Sequence, residues 1–204
     1  SLPEDVVIEP FLDRTDLVQR AIHTVEKNLL EGALIVIFIL VLFLGNLRAG
    51  LIVATAIPLS LLFALGMMNL FGVSANLMSL GAIDFGIIVD GSVIVVEAVM
   101  HHLAIRKNHQ RLTQAQMDEE VFHSASKIRS SAAFGEIIIL MVYIPILTLV
   151  GVEGKMFRPM AQTVVFAILG ALILSLTYIP AMSALLLPKT VSDKRSFAKR
   201  MISW

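Results

Sequence analysis

The sequence contains no cysteine, which excludes disulfides, thiolate metal sites and cysteine nucleophiles. It also lacks net charge. Sixteen basic residues balance 16 acidic ones, leaving neither a basic field for nucleic acid nor an acidic one for collecting cations. Charge of either sign is scarce, at 16% of residues against about a quarter in soluble domains, while 57% are apolar and the mean hydropathy is +0.84. No glycine-rich phosphate loop, zinc-protease motif or nucleophile elbow occurs, so hydrolytic chemistry is not expected and no cofactor is implied. The opening Ser1-Leu2-Pro3-Glu4-Asp5 has neither an initiator Met nor a basic-then-apolar leader, and it reads as a piece of something longer. These absences point to the bilayer, with membrane lipid as the first expected partner.

An α-helix needs ~20 apolar residues to cross a hydrocarbon core. The spacing predicts crossings at about 29–47, 50–71, 76–100, 132–150 and 159–187, an all-α membrane bundle of five transmembrane helices within a domain over 14–188. The uncharged run from Ala49 to Ile83 is too long for one crossing and divides at Phe71-Gly72-Val73-Ser74-Ala75-Asn76. Pro159 suits a first helical turn, and Pro180 predicts a kink. The polar stretch 101–131 carries Ile105, Leu112, Ala115 and Val121, too sparse for a span, so one or two short helices on the membrane surface are expected there. Ser1 to Pro10 mixes Val6, Val7 and Ile8 with charges, like the last strand of an extramembrane domain. Asp16 and Gln19 suit a capping box for a helix over Asp13 to Lys27, whose Leu17, Ala21, Val25 and Leu29 fall at four-residue steps and lead into the first crossing.

Orientation follows from Lys and Arg. Alternating crossings place the Arg48 turn, the 101–131 loop and the 189–204 tail on one side, with 11 basic residues; the other side holds Arg14, Arg20, Lys27, Lys155 and Arg158. The positive-inside rule makes the first set cytoplasmic.

Chemistry concentrates on the third crossing. A carboxylate at the centre of a membrane helix costs ~2.5 to 3.5 kcal/mol on the insertion scale, so Asp84, Asp90 and Glu97 on one helix ask for a function. At about 100° and 1.5 Å per residue, Asp90 and Glu97 lie within roughly 20° of each other and about 10 Å apart along one face, with Asp84 about 120° round. That geometry suggests a helix inside a bundle, with inward-looking carboxylates that load and release protons. Glu97 has a second reading, as an interfacial side chain that snorkels. Gly81, Gly86 and Gly91, with Ser79 and Ser92, read as close-packing sites. Glu136, early in the fourth crossing, faces either the relay or the headgroups. Met67, Met68, Met78, Met156 and Met160 invite a soft-metal reading, but Met is ordinary filler in apolar interiors. His101 and His102 point about 100° apart, which suits interfacial solvation better than a ligand pair.

The run Asp84-Phe85-Gly86-Ile87-Ile88-Val89-Asp90-Gly91, continuing through Val95-Val96-Glu97, resembles the fourth transmembrane helix of the heavy-metal efflux branch of the resistance-nodulation-division (RND) transporters. Phe43-Leu44-Gly45-Asn46-Leu47-Arg48-Ala49, Ala56-Ile57-Pro58-Leu59-Ser60 and Gly151-Val152-Glu153-Gly154-Lys155-Met156-Phe157-Arg158-Pro159-Met160-Ala161 are similar to flanking segments of that family. The resemblance implies that the crossings are transmembrane helices 2 to 6, half of an RND transmembrane domain, and that residues 1–13 end a periplasmic porter domain. It implies a multi-pass protein of the bacterial inner membrane, a secondary active cation/proton antiporter rather than an enzyme. The full-length protein would be a homotrimer working with a periplasmic adaptor and an outer-membrane channel. Asp84, Asp90 and Glu97 match the family's proton-relay carboxylates one for one; Ala98 departs from the usual Asn. The first acid, Asp84, is a feature of pumps for divalent cations such as zinc, cobalt, nickel or cadmium. No metal-binding residues are assigned within this segment. Two alternatives are an RND multidrug exporter, where adjacent aspartates are expected but Gly91 follows Asp90, and a passive cation channel or membrane scaffold.

Overall fold

The computed structural model describes residues 14–73, 84–105 and 112–187, and these are helical with short connections and contain no strand. Residues 1–13, the 76–83 portion of the expected third crossing with Met78, Ser79 and Gly81, and the tail 189–204 lie outside the described residues.

Helix α1 (Arg14–Leu44) is continuous through the polar lead-in and most of the first expected crossing, and it stops at Leu44, short of the expected end at 47. Its apolar part is Leu30–Leu44, shorter than the usual span, while Lys27 and Glu31 pair at 3.7 Å on its exposed surface. After two residues the chain turns back as α2 (Leu47–Phe71), capped by Asn46, whose side chain accepts from the Arg48 N–H at 3.0 Å. α2 ends where the sequence divides. Gly72 adopts φ +65, a left-handed conformation that costs a Cβ-free residue little, and the Val73 N–H then closes on the Met68 carbonyl at 2.9 Å.

α3 (Phe85–Ile105) is followed, among the described residues, by α4 (Gln114–Leu147). The start of α4 is fixed by a reciprocal cap. Thr113 Oγ1 accepts from the Gln116 N–H at 3.5 Å, and Gln116 Oε1 accepts from the Thr113 N–H at 3.1 Å. Residues 114–131, expected as part of a surface loop with short helices, are therefore the first half of one 34-residue helix. Met117, Val121, Ser124 and Ala132 supply the reason: at helical spacing they form a buried stripe, which a count of apolar residues along a window misses.

Three residues separate α4 from α5 (Gly151–Leu176), and α6 (Tyr178–Leu186) follows after Thr177. Pro159 sits in the interior of α5, not in its first turn, because the chain is already helical from Gly151. The expected kink before Pro180 is a break. Proline clashes with the carbonyl four residues earlier, here Leu176, and α5 stops there.

The core is a seam of small side chains. Ala49, Ala56 and Ala64 of α2 and Ala161, Ala167, Gly170 and Ala171 of α5 are buried, so the two backbones approach closely. A Cβ built on Gly170 would stand 2.7 Å from Phe63 Cδ1. Phe71 and Phe166 stack at 5.5 Å near one end of this seam, and Thr163 Oγ1 lies 3.4 Å from Met68 Sδ. α3 packs across both helices through Ile88, Val95, Val96 and Val99. Helices α2 to α5 are each long and apolar enough to cross a membrane.

Candidate functional site

The sequence of α3 gives it two unlike sides. Phe85, Ile88, Val89, Gly91, Ser92, Val95, Val96, Val99 and Leu103 face the other helices and are buried. Asp90 and Glu97, with Gly86 and His101, fall within about 60° of one another and are exposed. The inward-looking arrangement expected from the sequence is thus not what this chain's own described helices create. Apolar residues carry the packing of α3, and the two carboxylates line the stripe left over. Asp84 sits just before the helix, also exposed, where one carboxylate oxygen accepts from the Gly86 N–H at 2.8 Å and its carbonyl accepts from the Ile88 N–H at 3.4 Å. Asp90 and Glu97 therefore share a face, and Asp84 precedes the helix.

The residue whose orientation the sequence reading left open is Glu136. It is 3% exposed, and it is the only acidic or basic side chain in the buried class among the described residues. Its helix makes this burial unexpected: along the apolar half of α4, Phe134, Ile137, Ile138, Met141 and Val142 are exposed, while the carboxylate turns inward. Only 11% of that apolar stretch is buried, so α4 leaves its apolar surface uncovered by the other described helices and turns a polar group to its neighbours. The orientation was readable in principle, since Glu136 continues the stripe Met117, Val121, Ser124, Ala132 by one further four-residue step.

The Glu136 carboxyl rests on Gly91, the residue after Asp90. A Cβ built on Gly91 would collide with Glu136 Oε1, would lie 2.8 Å from its Cδ, and would come within 3.4 Å of Ser175 Oγ from α5. Any other residue at 91 would displace the carboxyl. The Ser175 hydroxyl donates to the Leu172 carbonyl at 2.9 Å, and neither Glu136 oxygen has a hydrogen-bond partner. Ser92 Oγ of α3 and Ser183 Oγ of α6 are likewise buried without partners.

The remaining candidates resolve into packing and surface contacts. His101 is exposed, whereas His102 turns toward α4, with Nε2 2.7 Å from Glu120 Oε2 and its ring 5.7 Å from that of His123. Met68 is buried in the α2–α5 seam and Met156 is exposed. Among the described residues no group of three His, Asp or Glu side chains is placed to hold a metal ion.

Comparison with known proteins gives consistent results. Residues 1–204 match the AcrB/AcrD/AcrF family. The chain is 53% identical over its full length to the cobalt-zinc-cadmium resistance protein CzcA of Cupriavidus metallidurans, covering 19% of that protein. It is 49% identical to the nickel and cobalt resistance protein CnrA of the same organism, over 95% of this chain and 18% of that one. A crystal structure of a heavy metal efflux pump superposes with a TM-score of 0.76 at 43% identity, covering 90% of this chain and 18% of the other. The chain thus spans about a fifth of the length of these relatives.

Proposed function

This chain belongs to the AcrB/AcrD/AcrF family, and we propose that it serves a proton-driven exporter of divalent heavy-metal cations, in which it carries the proton relay Asp84, Asp90 and Glu97. The observation that carries the proposal is the open stripe of α3: two carboxylates aligned on the uncovered face of an otherwise apolar helix, with a third at its start.

Lipid is a poor environment for such a stripe, so its natural counterpart is a second polar surface of the same transporter. The RND resemblance supplies one in the other half of the membrane domain, where a basic residue answers the central aspartate. In that setting a proton on Asp90 and a nearby cation are alternatives. When the cation withdraws, the carboxyl takes a proton from one side; when it returns, the proton leaves toward the other. Glu97, about 10 Å further along the same face, extends the route toward the cytoplasmic end given by the distribution of Lys and Arg. Each proton moving down the membrane potential delivers ~2.3 kcal/mol per 100 mV, and that energy drives the export of metal. The likeness to proteins named for resistance to cobalt, zinc, cadmium and nickel supports those ions as substrates. The same likeness supports an inner-membrane homotrimer joined to a periplasmic adaptor and an outer-membrane channel.

The test is Asp90→Asn in the protein carrying this chain, reconstituted in vesicles. Zinc-coupled proton flux is expected to vanish while expression and assembly stay at the parent's level. Coupled pumping by the variant would refute the relay. Uncoupled ion conduction would instead point to a passive channel.

A further inference from the structure

A buried carboxyl group that makes no hydrogen bond is an incomplete structure: it needs a positive charge, and the smallest that can be brought to it is a proton. Glu136 is in that position. It is sealed from the surface and without a hydrogen-bond partner on either oxygen, and no basic side chain is paired with it among the described residues. It is also not at an arbitrary place. Its carboxyl lies on the one backbone position, Gly91, that is adjacent to Asp90 and has no side chain to keep it away. Asp90 lies on the outer face of α3 and Glu136 against the inner one, at the very next residue, so Gly91 is where the open stripe and the interior of the bundle come together along the chain.

We propose that Glu136 is a fourth proton-carrying carboxyl of this site, exchanging its proton with Asp90 past the bare backbone of Gly91. The inference rests on the relay reading above. In the step, the O–H bond of the Glu136 carboxyl breaks, the proton passes directly or by one water to the Asp90 carboxylate, and the negative charge moves from Asp90 to Glu136. No other reactant is required. The groups that face Glu136 are few. α3 brings the bare backbone of Gly91, with Asp90 the adjacent residue, and α5 brings the Ser175 hydroxyl. α2 carries no charge beyond Arg48 at its start, and α6 has no titratable group except Tyr178. Glu136 therefore gives α4 a purpose in the site that its exposed apolar surface does not suggest, and it explains why residue 91 is glycine.

The experiment uses the protein carrying this chain in phospholipid vesicles, with zinc as the probe. Infrared difference spectra are recorded across a pH step, and zinc-coupled proton flux is measured as a function of pH. The protonated-carboxyl stretch is expected to disappear in Glu136→Gln and to change frequency in Gly91→Ala, where the collision falls on the flexible end of a side chain and the helix backbone is spared. Coupled flux is expected to drop by about 100-fold or more in both variants, the scale of losing one proton-transfer group. Glu136→Asp is expected to recover part of the flux with a displaced pH profile, a response that a merely structural role would not give. In a Glu136→Ala background, Gly91→Ala should add nothing.

Asp90→Asn in the same assay separates the two ideas. If Asp90→Asn keeps coupled flux, the relay reading fails and this inference with it. If Asp90→Asn is inactive while Glu136→Gln retains the parent's flux, pH profile and infrared bands, the assignment of Glu136 alone is overturned.

Discussion

Exchanging Glu136 for Met keeps the length of the side chain and removes both oxygens, so the change isolates what the carboxyl costs the fold. In the structure those oxygens are buried and make no hydrogen bond, the Ser175 hydroxyl being turned to the Leu172 carbonyl. Leaving a buried polar group without a partner costs about 1–3 kcal/mol, and exchanging such groups for apolar ones of similar volume is often stabilising by a comparable amount. The Met side chain meets the same neighbours, Gly91 and Ser175, and adds no volume that the site must open to accept. Stabilisation of about 1–3 kcal/mol is therefore expected, and at about 2–4 °C per kcal/mol for a domain of this size the midpoint should rise by at least about 2 °C. The assay is thermal denaturation in a single detergent, read as the fraction surviving size-exclusion after heating, with Glu136→Gln as the control. Gln keeps polar atoms in the same pocket and should show no such gain. Zinc-coupled flux of Glu136→Met should be lost, giving a protein that is tougher and idle. A lower midpoint for Met with an unchanged one for Gln would refute the reasoning, because it would mean that the carboxyl is held by polar partners.

Two further outcomes follow from the packing and the caps. Gly170→Ala should destabilise the bundle by about 1–3 kcal/mol, because the new Cβ presses on the Phe63 ring at 2.7 Å in the tight α2–α5 seam. Gly66→Ala, whose Cβ meets nothing within 4 Å, should be neutral or stabilising by up to about 1 kcal/mol, and the pair is compared by the same heating assay. Thr113→Ala removes the cap of α4 and should cost about 1 kcal/mol, seen as faster amide exchange over residues 114–117 with the rest of the helix unchanged.

The places where the helices turn were readable because turn chemistry is local. Gly45-Asn46 ends α1 and caps α2, Gly72 closes α2, and the α5–α6 break stands one turn before Pro180. The beginning of α4 was not, since its polar first half hides an apolar stripe that only angular position reveals. For the site, the sequence singled out three acidic residues, and helical geometry placed Asp90 and Glu97 on one face. It could not say which face is covered, because α3 has apolar residues nearly all round and only its contacts decide what is buried. Glu136 illustrates the converse. One glutamate in an apolar run has two equally reasonable directions, toward headgroups or toward neighbours, and the choice is made by a glycine 45 positions earlier, Gly91, that only folding brings against it.

At 1.5 Å per residue the 34 residues of α4 extend about 51 Å, well beyond a ~30 Å hydrocarbon layer. A rod of that length, capped at Thr113 and tied to α6 by the Gln114 side chain on the Ala184 carbonyl at 3.0 Å, cannot adjust at Glu136 without its far end swinging in proportion. Residues outside the greasy layer, where His102 meets Glu120, would feel the movement as a lever arm does its fulcrum.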